Sequence, residues 1–259
     1  MNQILIATIL SVALFIGILI LMEIGRWIGS RRLALDPKGA RAGTGTVEGA
    51  VFALVGLLIA FTFSGAATRF DTRRALIVQE TNAIGTAYLR LDLLSEGIQP
   101  VMRDLFRRYV DARLEIYRRV TDQQATMAAM DEATRLQGLI WQQAVTGGQH
   151  EGSAPDTIRL LLPALNEMID ISTTRTLSAK QHPPLIIYLM LVGLTLASAL
   201  LAGYDMAGGK SRNWLHILGF AAVMALAVYV IIDLEFPRLG LIRVDAFDQA
   251  LVDLRQSMR

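Results

Sequence analysis

Groups able to do chemistry are sparse in this chain of 259 residues. Its three histidines, His150, His182 and His216, are too scattered in sequence to suggest a metal site. Cysteine is absent, which removes disulfides, thiolate metal ligands and thiol nucleophiles together. No Ser/His/Asp arrangement and no His-Glu-x-x-His helix can be read, so neither an enzyme nor a cofactor is expected. Residues 207–211, Ala-Gly-Gly-Lys-Ser, resemble the tail of a phosphate-binding loop, but the required first glycine falls at Tyr204 and an apolar helix precedes them where a strand is needed. They read as a turn. Residues 39–45 are glycine-rich without the lysine and read as a linker.

The remaining polar residues of interest are better suited to holding ions or structure. Arg69 and Arg73 share one helix face, as do Asn166 and Asp170. Either set can form a structural polar network or the wall of an ion vestibule. Carboxylates at Glu23, Glu48, Asp205, Asp233 and Glu235 fall at the ends of apolar stretches. None falls near a bilayer centre, where an ionisable residue would mark a transport path, and this argues against a proton-coupled pump.

The elements that position these groups follow from composition. Hydrophobic residues make up 53% of the chain and charged residues 19%, the balance of a membrane protein. The net charge of +2, without a polybasic tail, gives nucleic acid no attachment. Residues 4–22, 49–68, 185–204 and 214–232 carry no formal charge, each about the 20 residues that span a bilayer as helix. Residues 4–22 lack the basic start and small-residue cleavage site of a signal peptide, so they read as a retained helix. Arg26, Arg31, Arg32, Lys38 and Arg41 follow the first span, and Lys210 and Arg212 separate the third from the fourth. The positive-inside rule places both loops in the cytoplasm and the intervening segment outside it.

Within the second span, Gly49, Ala53, Gly56, Ala60 and Ser64 lie on one face. Two readings stay open. Small residues let a neighbouring helix of the same chain approach closely. Alternatively, the face lines a central path in an oligomer, with Gly56, Ala60, Thr62, Phe63 and Ser64 as candidates for its polar steps and hydrophobic constrictions.

From residue 69 the chain turns polar and keeps helical periodicity. Phe70, Ile77, Ile84 and Leu91 recur every seven residues with no breaker after the second span, which predicts one helix over 47–94. Met102, Leu105, Tyr109, Ala112, Ile116 and Val120 form a second stripe, with Asp104–Arg108, Arg107–Asp111 and Glu115–Arg119 pairs expected outside it. Further helices are expected over 127–145 and from Pro155 onward. The fold class is therefore all-α. An integral membrane protein with four transmembrane helices carries an inserted antiparallel helical bundle between the second and third. The boundaries are 1–68, 69–183, 184–236 and a short amphipathic segment at 237–259.

Residues 56–66, Gly-Leu-Leu-Ile-Ala-Phe-Thr-Phe-Ser-Gly-Ala, are followed by Arg69-Phe70-Asp71 and Arg73-Arg74. With the run 80–90, Glu-Thr-Asn-Ala-Ile-Gly-Thr-Ala-Tyr-Leu-Arg, and with residues 165–170 and 240–244, they resemble a bacterial family of bestrophin-like membrane proteins. The family more often has Asp-Arg-Pro where this chain has Glu235-Phe236-Pro237. Glu80 and Asn82 of the matching run join Arg69, Arg73, Asn166 and Asp170 as network or vestibule candidates. The resemblance implies a homo-oligomeric ion channel, since bestrophins are anion channels. Its expected partners are the bilayer, further copies of the chain and small inorganic ions. Its expected location is a bacterial inner membrane with the inserted domain in the periplasm. The rival expectation is a sensory or scaffolding membrane protein whose bundle binds a ligand or partner.

Overall fold

The computed structural model describes residues 3–36, 44–209 and 211–258. Lys38, Arg41 and Lys210 of the basic loops, most of the glycine-rich linker and one residue of the 207–211 turn lie outside them. Eight α-helices account for the described fold, with no strand among the described residues: α1 Gln3–Leu35, α2 Thr44–Leu89, α3 Gln99–Arg118, α4 Gln123–Gly148, α5 Thr157–Ala179, α6 Leu185–Asp205, α7 Trp214–Glu235 and α8 Gln249–Ser257. Four of them, α1, α2, α6 and α7, are long and apolar enough to cross a membrane. The protein is an integral membrane protein of the all-α class.

The contacts divide the described residues into two units. The first holds residues 1–69 and 182–242, the second 70–181 and 243–259. In the first unit α1 packs against α6 and α7. The α1–α6 contact is made backbone to backbone. A Cβ at Gly25 would collide with the Leu200 carbonyl, and one at Gly203 with the Met22 carbonyl. These helices depend on packing of small residues, because lipid offers no hydrophobic force to press them together. Asp233, at the end of α7, accepts hydrogen bonds from the backbone N–H groups of Leu241 (2.9 Å) and Ile242 (2.7 Å), which fastens the chain after the turn.

Helix α2 runs unbroken for 46 residues, about 69 Å at 1.5 Å per residue. It closes in a short 3₁₀ turn, Arg90–Leu93, close to the end expected from the heptad stripe. Its buried stripe in the first unit includes Val55, Thr62 and Ala66, and Phe52 meets Phe220 of α7 edge-on at 6.2 Å.

In the second unit the stripe continues as Ile84, Ala87, Tyr88 and Leu91, which pack with Met102, Phe106 and Tyr109 of α3, Leu136 and Ile140 of α4 and Leu161, Leu165 and Met168 of α5. Asp122 caps α4 by accepting from the Ala125 N–H, so that helix begins earlier than the expected 127. The segment after Arg243 belongs to this unit as well. Leu251 of α8 is fully buried in its core, and Arg255 donates from Nε and Nη2 to the two carboxylate oxygens of Asp111 at 2.8 and 2.9 Å. Of the surface pairs expected on α3, Glu115–Arg119 forms. Arg108 reaches Glu132 instead, and Asp111 is taken by Arg255, because partners from other helices compete with those on the same helix.

Candidate functional site

Two features merit a functional reading, one in each unit. The first is the face of α2 made of small residues. Gly49, Ala53, Gly56, Ala60 and Ser64 are all exposed, and a Cβ added at Gly49 or Gly56 would meet nothing within 4 Å. Among the described residues, no neighbour packs against Gly49 or Gly56 of this face. Phe63 is also exposed. Thr62 departs from its group. Its side chain is buried and its hydroxyl donates to the Leu58 carbonyl at 2.6 Å, so it faces away from the open side. That follows from helical spacing: Thr62 is two positions from both Ala60 and Ser64, nearly opposite on the helix.

The small residues of α2 are spread over about four turns, from Gly49 to Ser64, and α2 turns Leu54, Leu57 and Phe61 outward beside them. Elsewhere in the unit bulky side chains dominate the outward surface (Leu5, Ile9, Ile16 and Ile20 of α1, Leu185, Ile186 and Leu189 of α6, Val223 and Leu226 of α7), although α6 also exposes Gly193 and Ala197 and α7 Gly219 and Ala222. Bulky aliphatic side chains suit lipid tails, whereas glycine, alanine and serine present little apolar area and leave the backbone near the surface.

The polar candidates do not form one network. In the first unit, Arg69 donates through Nε to Glu235 Oε1 at 2.9 Å and makes a second bond to the same oxygen from Nη2. Glu235 is fully buried, and His182 Nδ1 stands 3.5 Å from its other oxygen while stacking on Phe236 at 4.6 Å. A charge that deep persists only when paired, and Arg69 supplies the pairing. In the second unit, Arg73 donates to the carbonyls of Ser178 (3.3 Å) and Gln181 (2.7 Å), closing the C-terminal end of α5 where carbonyls lack helical partners and the dipole is negative.

The second feature surrounds Glu80, whose side chain has no exposure. Arg113 Nε donates to its Oε1 at 2.5 Å and Arg175 Nη1 donates to its Oε2. Arg175 continues to Asp248 at 2.9 Å, and Arg113 Nη2 donates to the Tyr117 hydroxyl at 2.6 Å. Burial alone would push the Glu80 carboxyl up, yet the two guanidiniums beside it hold it below the usual carboxylate range. Burial likewise works against the Arg113 charge, and Tyr117 and Glu80 outweigh it.

Asn82 stands exposed on α2, apart from this cluster. Asn166 and Asp170 are brought together, along an open groove of about 450 Å³ on α5. Arg113, Arg175, Tyr117 and Asp248 were not singled out from sequence. A signal was present. Glu80 lies between Ile77 and Ile84, and Arg113 between Tyr109 and Ile116, so each puts a charge inside an apolar stripe. Buried charges of opposite sign on separate stripes are candidates to meet. Among the described residues no three His, Asp or Glu side chains gather to hold a metal.

Comparison with known proteins adds the family. A model of the bestrophin-like domain matches residues 13–246. No curated protein matches the chain. Among solved structures, a variant of a bacterial bestrophin homolog from Klebsiella pneumoniae superposes with a TM-score of 0.69 at 14% identity, covering 95% of this chain and 98% of that one. A second variant of such a homolog from the same organism gives 0.67 at 15% identity, with 94% and 99% covered. A structure described as a membrane protein gives 0.65 at 14% identity, with 93% and 98% covered. At such identities the likeness speaks for the fold.

Proposed function

Since the chain belongs to the bestrophin-like family, we propose that it is a homo-oligomeric ion channel of a bacterial inner membrane, with α2 lining the path. The observation that carries this reading is the open face of α2. Gly56, Ala60, Phe63 and Ser64 are exposed among the described residues, and the small or polar Gly56, Ala60 and Ser64 suit neighbouring copies and hydrated ions better than lipid. Phe63 is the candidate hydrophobic constriction and Ser64 the candidate polar step beside it. The basic residues after α1 favour a cytoplasmic α1–α2 loop, which gives the helical unit after Arg69 a periplasmic address. Small inorganic ions are the conducted species on this reading.

The test begins with mass. Light scattering with detergent correction on the purified chain is expected to give a discrete oligomer of at least four copies. Reconstituted protein is expected to pass current in planar bilayers, with Phe63→Ala changing that current. A monomer or dimer without current under voltage or pH steps sinks the proposal.

A further inference from the structure

Helices α3, α4 and α5 line a half-open cavity of about 180 Å³, with Arg113 in its wall. That is room for roughly six waters at about 30 Å³ each, well below the usual size of a pocket for a drug-sized ligand. A solute that fits inside it has only a few heavy atoms.

The electrostatics of the wall select the sign of that solute. Arg113, Glu80, Arg175 and Asp248 form a chain of alternating charge, each bonded to the next. The cation, Arg113, stands at the cavity end, and no carboxylate is among the residues that line the cavity. Its side chain is only 4% exposed. Nε is spent on Glu80 and Nη2 on Tyr117, which leaves Nη1 without a partner among the described residues. A guanidinium already dehydrated, held in place at two nitrogens and keeping one donor free is prepared to receive an anion, because the cost of ordering it has been met in folding.

The rest of the wall can supply further donors. Ser172 and Thr176 line the cavity and donate to the Ile169 and Ser172 carbonyls of their own helix, at 2.8 Å each. Those carbonyls lie within α5, so the Thr176 hydroxyl can rotate towards a ligand while the helix keeps its backbone bonds, and the Ser172 hydroxyl hydrogen can turn likewise while its oxygen goes on accepting from Gln137 Nε2 at 2.9 Å.

We propose that this cavity is a binding site for a small oxyanion or carboxylate, held by Arg113 Nη1 and the hydroxyls of Ser172 and Thr176. The site lies within the helical unit and does not depend on the channel reading, since binding is measured without any ion flux.

The experiment is thermal unfolding of the purified full chain in detergent. Sodium phosphate, sulfate and acetate are each titrated at constant ionic strength against sodium HEPES. Phosphate and sulfate stabilise many proteins by exclusion from their surface, without saturating. Saturation and its loss in a filled cavity are therefore the decisive readouts. At least one of the three anions is expected to raise Tm saturably in the unaltered protein. Thr176→Leu, which fills the cavity and leaves the Arg113–Glu80 pair intact, is expected to weaken the apparent Kd by about tenfold or more. The proposal is overturned if none of the anions gives a saturable rise, or if Thr176→Leu shows the same saturable rise as the unaltered protein.

Discussion

Arg113 Nε donates to Glu80 Oε1 at 2.5 Å, joining α3 to α2 across 33 residues of sequence in the interior of the helical unit. The bond joins residues of two apolar stripes, and both side chains are buried. Arg175 completes the arrangement from α5, so one carboxylate ties three helices together.

Removing that carboxylate strands two buried guanidiniums. Glu80→Ala is expected to cost roughly 3–5 kcal/mol, the usual loss when one partner of a buried pair is deleted. Glu115→Ala, which breaks the exposed pair with Arg119, is expected to cost at most about 1 kcal/mol. Thermal unfolding of the two variants in the same detergent checks the contrast, and equal losses would contradict it.

The same cluster sets an acid limit. The Glu80 carboxyl is held below its unfolded value of about 4.3, so the folded state favours its ionised form. Its contribution is fully present above about pH 5 and is lost as the pH falls through the lowered folded value. Tm plotted against pH should fall on the acid side, and the fall should be shallower in Glu80→Gln, which has no proton to take up. Matching acid limbs in the two proteins would assign the fall to other carboxylates.

Two glycines in membrane helices should respond in opposite ways. A Cβ at Gly203 collides with the Met22 carbonyl, whereas one at Gly56 meets nothing within 4 Å. Gly203→Val is expected to cost about 1–3 kcal/mol or more through forced separation of α1 and α6, and to reduce the yield of folded protein. Gly56→Ala is expected to keep the yield while altering oligomer stability or current. Size-exclusion profiles of the two variants separate these outcomes.

Conduction should depend on the open side of α2. Phe63→Ala is expected to change single-channel current by roughly twofold or more, and Ser64→Ala to change ion preference. Phe52, which instead meets Phe220, should affect folding before it affects current. Recordings in planar bilayers compare the three positions.

What the sequence alone determined is what short-range chemistry controls. Each membrane span is legible because a charge-free run of about 20 residues sums its transfer energy locally, with no need of a partner. The long α2 is legible for a similar reason, since no breaker interrupts its stripe and the helical bonds close within the segment. Relations between distant residues were decided by the tertiary structure. Asp111 pairs with Arg255 across 144 residues because α8 carries Arg255 to it. Thr62 turned out to be buried, and Arg113 to meet Glu80, because burial and pairing depend on which helix lies alongside. Gly56 and Gly203 are the same residue in comparable apolar helices. Only the presence of another backbone against one of them, and its absence against the other, gives the two glycines different roles.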